Sequence, residues 1–123
     1  MEPQNVRERP DVLLIANEWP DRSLVRAELI DAGYDVVAID SWPIPGEPGM
    51  QPRVMIVDLR GLSDPTTLLR QIPSILPPDR VLVITALGTI SADELRRAGY
   101  RVISRPVRIG DIVAAAGELI GGS

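Results

Sequence analysis

Five short runs of consecutive apolar residues constrain the fold of this chain more than any other feature. They are rich in Val, Ile and Leu and predict strands at residues 11–16, 35–39, 54–57, 81–84 and 101–103. A strand that is apolar at consecutive positions is covered on both faces, which is typical of a parallel sheet. The segments between these runs carry helix signals, so the chain alternates strand and helix. That alternation predicts βαβ units and a single α/β domain.

The helix signals are mostly caps and terminators around apolar residues at helical spacing. The predicted helices run over residues 20–32, 63–72, 91–98 and 112–119. Ser91 and Glu94 have the form of a capping box, in which hydroxyl and carboxylate each take one free amide. Gly33 and Gly99 are natural terminators, because glycine enters the left-handed conformation without steric cost. Pro73 ends or kinks the second of these helices.

One crossover lacks helix signals altogether. Residues 41–52 contain four prolines and two glycines, so a Pro/Gly loop is predicted to replace the second helix of the alternating pattern. Its apolar residues Trp42, Ile44 and Met50 have two interpretations. They cover sheet surface left bare by the missing helix, or they form a partner-docking loop. Residues 1–10 are predicted to be a flexible leader, 11–120 the domain and 121–123 a tail.

Composition excludes several function classes. The chain has no Cys and no His, and all 13 of its basic residues are Arg. Thiol, imidazole and amine catalysis and zinc binding are therefore excluded, and we predict that the protein is not an enzyme. The net charge of −4 disfavours nucleic acid and anionic membranes as partners. No apolar run is long enough to span a bilayer, so we expect a cytoplasmic protein.

Polar residues follow the predicted strands where each strand ends. They are Asn17 and Glu18, Asp40, Asp58, Thr85, and Ser104 with Arg105. In an open parallel sheet, functional sites lie outside the carboxyl ends of the strands. Each residue alone is explained by a chain leaving the core. Taken together, a carboxylate, a hydroxyl and a guanidinium from neighbouring strand ends predict a site.

Four segments resemble one known family. They are Ile103-Ser104-Arg105-Pro106-Val107, Ile84-Thr85-Ala86, Met55-Ile56-Val57-Asp58-Leu59 and the first strand from Val12 to Glu18. Their order and spacing resemble the receiver domains of bacterial two-component response regulators, over residues 11 to about 120. The resemblance implies a flavodoxin-like fold, with a five-stranded parallel sheet in the order 2-1-3-4-5.

The resemblance also implies roles for individual residues. Asp58 matches the aspartate that accepts a phosphoryl group, and Thr85 matches the hydroxyl that moves onto it. Arg105 holds the position of the family's lysine, and the Arg105–Pro106 peptide bond is expected to be cis. A magnesium ion normally assists the phosphorylation, bound partly by two adjacent acidic residues of the first strand.

The chain departs from the family pattern at several of these positions. Ala16 and Asn17 stand where the acidic pair is expected, which leaves Asp58 as the sole carboxylate unless Glu18 bends in. Magnesium requires oxygen ligands, usually with one or two carboxylates, so we predict a weak or absent metal site at Asp58. Arg105 either forms a bidentate pair with Asp58 or reflects a general replacement of Lys by Arg.

A further departure affects signal output. Val102 occupies the position of an aromatic residue that often reports phosphorylation in the family, and Tyr100 is out of register. We therefore predict a degenerate receiver, or pseudo-receiver, that acts through protein–protein interaction. The alternatives are an atypical receiver phosphorylated on Asp58 and a nucleotide- or cofactor-binding α/β domain. The expected partner is another signalling protein, such as a histidine kinase, or a second copy of the chain. Four arginines lie near the predicted fifth strand and form either a solvated charged surface or a dimer contact. They are Arg96, Arg97, Arg101 and Arg108.

Overall fold

This computed structural model describes residues 10–40 and 51–121, except for the side chains of residues 19 and 20. Strands and helices alternate along this part of the chain. The strands are Val12–Ile15 (β1), Val36–Ile39 (β2), Val54–Asp58 (β3), Val81–Ile84 (β4) and Arg101–Ile103 (β5). The α-helices are Trp19–Asp31 (α1), Pro65–Gln71 (α2), Ala92–Arg97 (α3) and Ile109–Gly121 (α4). Short 3-10 turns at Ile72–Ser74 and Pro78–Arg80 lead into β4.

The five strands form one sheet in the order β2-β1-β3-β4-β5, and every neighbouring pair is parallel. The predicted fold class and strand order are therefore confirmed. In this order the direction of winding reverses between β1 and β3, and sites in such sheets lie at the carboxyl edge near that reversal. The register places Ile15 beside Val57 and Asp58 beside Ile84. The residues that follow β1, β3 and β4 are thus neighbours.

The core lies on both faces of the sheet, as the continuous apolar runs predict. All residues of β1, β3 and β4 are buried, whereas the edge strands β2 and β5 are partly covered. Helices α1 and α4 pack on one face, and α2 and α3 pack on the other. Each fully buried Leu or Ile side chain stabilises the fold by about 1.5–3 kcal/mol. Burial on both faces fixes the strand ends that carry the polar residues.

Capping residues set the ends of the short helices. The Asp64 side chain accepts a hydrogen bond from the Thr67 amide at 3.2 Å and caps α2, which passes into a 3-10 turn before Pro73. Ser91 accepts from the Glu94 amide at 3.2 Å at the start of α3. The Glu94 carboxylate accepts from the Ser91 hydroxyl at 3.3 Å. The Glu94 carboxylate therefore bonds to the Ser91 hydroxyl, whereas the sequence predicted that it would bond to a free backbone amide.

Several helix boundaries differ from the sequence-based ones by one to three residues. Helix α1 begins at Trp19, so Pro20 is its second residue, and α4 extends to Gly121. Pro10, assigned to the leader, is buried, and its carbonyl accepts a hydrogen bond from the Arg53 amide at 3.1 Å. The loop predicted in place of a helix lies outside the described residues except for its last two positions. None of the described helices is long and apolar enough to cross a membrane.

Candidate functional site

Three of the predicted site residues come from adjacent strand ends. Asp58 is the last residue of β3, Thr85 follows β4, and Arg105 lies two residues beyond β5. The Thr85 amide donates to the Ile103 carbonyl at 3.0 Å, which ties the end of β4 to the end of β5. The Leu59 amide donates to the Ile84 carbonyl at 3.0 Å and ties β3 to β4 in the same way. The sheet therefore brings these positions together at its carboxyl edge.

Asp58 is the one buried polar or charged residue among those described, and 5% of its surface is exposed. Both oxygens of its carboxylate are used. Oδ1 accepts a hydrogen bond from the backbone amide of Arg60 at 3.0 Å, and Oδ2 is paired with the guanidinium of Arg105. A buried carboxylate costs free energy unless it is paired and hydrogen-bonded. These two contacts meet that requirement in the site as described.

Arg105 pairs with Asp58, as one of the two alternatives from the sequence has it, but through Nη2 alone and not in the bidentate geometry of that alternative. Its Nε is buried and has no hydrogen-bond partner among the residues that the structure describes, although the side chain as a whole is 22% exposed. The guanidinium therefore meets Asp58 with one terminal nitrogen, where a forked pair would use two. The Arg105–Pro106 peptide bond is cis, as predicted. Pro106 itself is exposed beside the guanidinium.

The end of β1 lacks acidic side chains next to Asp58. Ala16 is buried and packs in the core between the sheet, α1 and α4. The Asn17 side-chain amide donates to the carbonyl of Gly61, in the loop that follows β3. Glu18 is exposed, and its side chain lies close to the same glycine: a Cβ at position 61 would be 3.0 Å from Glu18 Oε2. Gly61 also has a positive φ of 82°, so both its conformation and its crowding favour glycine.

Two further arginines belong to this edge, and neither is among the residues predicted from sequence. Arg22 donates from Nη1 to the carbonyl of Ala16 at 2.9 Å, at the end of β1. Arg60 forms an ion pair with Asp21 of α1, in addition to its backbone contact with Asp58. The sequence signal for Arg60 is its place two residues after the strand-end aspartate. Arg22 has no comparable signal, because its contact depends on how α1 folds back over the strand.

The Thr85 hydroxyl makes no hydrogen bond with any residue the structure describes, and the residue is half-buried. Val102, at the position of the family's aromatic residue, is half-buried and packs against the core on the α2 side. The aromatic Tyr100 lies at the other end of β5. Its hydroxyl donates to the Leu69 carbonyl at 3.2 Å, and burial raises the pKa of that hydroxyl. Tyr100 thus anchors α2 to β5 away from Asp58.

An open groove of about 880 Å³ lies beside the Asp58–Arg105 pair. Arg105, Pro106 and Val107 form one wall, and the loop after β3 forms another. Ala86 and Leu87, from the loop after β4, complete it. Most of the lining is apolar, and Leu87 is completely exposed.

The remaining predicted positions lie outside this cluster. Asp40 and Ser104 are exposed at the ends of the edge strands. The predicted docking loop, with Trp42, Ile44 and Met50, falls outside the described residues. Four arginines are exposed near α3, β5 and α4, and two of them pair with acids: Arg96 with Asp93 at 3.7 Å and Arg101 with Glu118. The other two are Arg97 and Arg108.

Comparisons with known proteins identify the same fold from structure alone. No protein-family model matches the chain, and no curated protein matches its sequence. Among solved structures, the beryllofluoride-activated receiver domain of nitrogen regulatory protein C (NtrC) has a TM-score of 0.72 and 23% identity. That match covers 93% of this chain and 96% of the NtrC domain.

The receiver domain of NtrX from Brucella abortus has a TM-score of 0.71 and 24% identity, covering 92% of this chain and 100% of that domain. In a longer NtrX structure, solved in complex with ATP, the chain spans only 27% of the neighbour's length. An adenylate cyclase from Rhodopirellula baltica also matches, with a TM-score of 0.68 and 18% identity over 93% of this chain and 87% of that one. At these identities the likeness establishes a shared fold, which is that of receiver domains.

Proposed function

We propose that this chain is a pseudo-receiver, a signalling module that acts by binding another protein and does not depend on phosphorylation of Asp58. The observation that carries the proposal is the state of the Asp58 carboxylate. One oxygen accepts the Arg60 amide, and the other is held by the Arg105 guanidinium. For Asp58 to attack a phosphorus atom, this ion pair would first have to open. Opening it would leave a buried charge without its partner.

The donor set around Asp58 also fits magnesium poorly. Mg²⁺ demands octahedral oxygen ligation, usually with one or two carboxylates. Ala16 offers no side-chain oxygen, and Asn17 offers only a neutral amide oxygen in place of a carboxylate, while its NH₂ group donates to the Gly61 carbonyl. The described residues contain no group of three or more acidic side chains that could hold a metal ion. We therefore infer weak magnesium binding at most.

Positive charge strengthens this inference. The Arg22 guanidinium is bound at the end of β1, and the register places that end beside Asp58. The Arg105 guanidinium contacts the buried carboxylate directly, whereas that of Arg60 is neutralised by its ion pair with Asp21. Arg105 and Arg22 are therefore the cations that a metal ion at this carboxylate would meet. A divalent cation entering the site would be repelled by these groups, since like charges at short range oppose each other strongly in a partly buried site. Metal ions contribute much of the charge neutralisation in phosphoryl transfer.

The alternative function is an atypical receiver that a histidine kinase or a small phosphodonor phosphorylates on Asp58. The specific observation in its favour is the retained frame: Asp58, the Thr85 position and the cis Arg105–Pro106 bond lie at neighbouring strand ends. In that case Arg105 would swing from the carboxylate to the phosphoryl group. The two functions differ in whether the free chain responds to a phosphoryl analogue.

Amide spectra recorded with magnesium and beryllofluoride test the proposal. We expect the signals of Asp58 and Thr85 to stay in place in the unmodified protein. The Asn17→Asp/Arg105→Lys variant restores one carboxylate and the compact ammonium without touching buried Ala16, and it serves as the responsive comparison. Acetyl phosphate followed by intact-mass measurement provides a second readout. A mass increase of one phosphoryl group on the unmodified chain, lost in Asp58→Asn, would favour the atypical receiver.

A further inference from the structure

We propose that the groove beside Arg105 binds an extended segment of a partner protein that carries an apolar side chain next to a carboxylate. This inference rests on the proposed function, because it names the surface through which a pseudo-receiver would act. The groove measures about 880 Å³, which is in the range of clefts that hold ligands. It is built from the loops after β3, β4 and β5.

The apolar lining of the groove opens to solvent chiefly at one residue, Leu87. Leu87 is completely exposed at the rim, with Ala86 beside it and Val107 opposite. Leu59 and Leu62 line the wall contributed by the loop after β3. Leu62, Ala86 and Val107 are half-buried and Leu59 is buried, so Leu87 is the apolar side chain of the lining that is most open to a partner. A partner side chain that covers Leu87 would remove this apolar surface from water.

The charges at the groove select the kind of partner. Arg60 and Arg105 line it, whereas Asp21 is the one acidic residue in the lining, and its carboxylate is already paired with Arg60. Asp58 is buried and presents little negative charge to the surface. Arg108, next to Val107, is exposed and makes no ion pair with a described residue. The groove is therefore rich in guanidinium groups, although the protein as a whole is acidic.

Arg105 has the capacity to serve a second carboxylate. It contacts Asp58 through Nη2, and its Nη1, unlike the buried Nε, is not enclosed and makes no hydrogen bond with a described residue. Arginine holds carboxylates through several N–H groups, and such charge-assisted hydrogen bonds are stronger than neutral ones. A partner Asp or Glu next to an apolar residue would meet the guanidinium while its neighbour covers Leu87. A basic segment would instead find no unpaired carboxylate in the lining, because Asp21 is already paired with Arg60.

Selection from a phage-displayed library of short random peptides, with the full chain as bait and no magnesium or phosphodonor, tests this proposal. We expect the enriched peptides to combine an apolar residue with an adjacent Asp or Glu. The best enriched peptide is then synthesised, together with its analogue in which Asn or Gln replaces the acid. We expect the amide analogue to bind about tenfold more weakly, a loss typical of a residue that dominates an interface.

Two exposed-residue variants locate the binding surface. We expect Leu87→Ser to weaken the peptide by about tenfold or more, whereas Ile30→Ser, which removes a 44% exposed apolar residue at the far end of α1, leaves affinity unchanged. Peptide-induced amide shifts should centre on Leu62, Leu87 and Val107. The proposal is overturned by a library that enriches nothing, by basic consensus peptides, or by equal binding to Leu87→Ser. Normal phosphorylation of Asp58 would refute the pseudo-receiver function without affecting these binding results.

Discussion

Removing the Arg105 charge should destabilise the fold substantially, because Asp58 would lose its only ionic partner among the described residues. The Asp58 side chain is 7% exposed, and that of Arg105 is 22% exposed. Breaking one side of a fully buried pair costs about 3–5 kcal/mol. Asp58 keeps the Arg60 amide, and Arg105 is partly solvated, so we expect Arg105→Met to cost about 2–3 kcal/mol. For a domain of this size, that corresponds to a fall in melting temperature of about 8–12 °C.

Urea and thermal unfolding measure this cost, with Arg96→Met as the matched control. Arg96 pairs with Asp93 on the surface, and their side chains are 54% and 81% exposed. Such an exposed pair contributes at most about 1 kcal/mol. The reasoning is refuted if the Arg105 and Arg96 variants lose the same stability, or if Arg105→Met is more stable than the unmodified protein.

Whether Asp58→Asn stabilises or destabilises the fold gives an independent check on the Asp58–Arg105 pair. In a pocket where several acids repel one another, neutralising one of them stabilises the fold. Asp58 stands with a guanidinium instead, so we expect Asp58→Asn to destabilise by about 1–2 kcal/mol. The double variant with Arg105→Met should lose less than the sum, with a coupling energy of about 1–2 kcal/mol. Additive losses would mean that the two side chains do not interact in solution.

Three further predictions concern the scaffold. Gly99→Ala should lower the free energy of unfolding in urea more than Gly33→Ala does. Both glycines have φ near 100°, but only a Cβ at position 99 meets a neighbour within 4 Å, a proline carbon at 3.3 Å. Equal losses would contradict this. Tyr100→Phe should lose about 1 kcal/mol, because the Leu69 carbonyl loses its donor; an unchanged urea midpoint would contradict it. Hydrogen bonds from the hydroxyl and then the amide of Thr67 lower the pKa of Asp64 below its ordinary 3.8. The stabilisation of α2 by the Asp64 carboxylate should therefore be present above pH 3.8 and disappear as pH falls through the folded pKa. A carboxyl NMR titration checks this, and a midpoint at or above 3.8 would contradict it.

The fold was predictable because the strands that build the centre of the sheet are apolar at every position. Burial on both faces leaves no alternation to interpret, so β1, β3 and β4 agree with their predicted ranges to within a residue at either end. The helix ends were predictable where capping chemistry is local, as at Ser91. They were less so where a carboxylate has two donors within reach, as Glu94 shows by accepting from the Ser91 hydroxyl.

The candidate site was only partly predictable, because its contacts join residues that are distant in the chain. The pairing of Asp58 with Arg105 followed from two strand ends at the same edge of the sheet, but its single-nitrogen geometry did not. The guanidinium of Arg22 reaches the end of β1 only after α1 has folded back. The groove at Leu87 depends on three loops at once, and no local pattern marks such a surface.

A magnesium titration of the unmodified protein, followed through the backbone amides of Asp58, Arg60 and Gly61, tests the central claim most directly. These amides lie in the segment that a metal ion at the Asp58 carboxylate would perturb, and Arg60 donates to that carboxylate. With the carboxylate already paired to Arg105 and the Arg22 guanidinium bound at the neighbouring strand end, we expect no saturable shift at millimolar magnesium. The Asn17→Asp/Arg105→Lys variant should shift under the same conditions. Saturable binding by the unmodified chain at low millimolar magnesium, centred on these amides, would contradict the account.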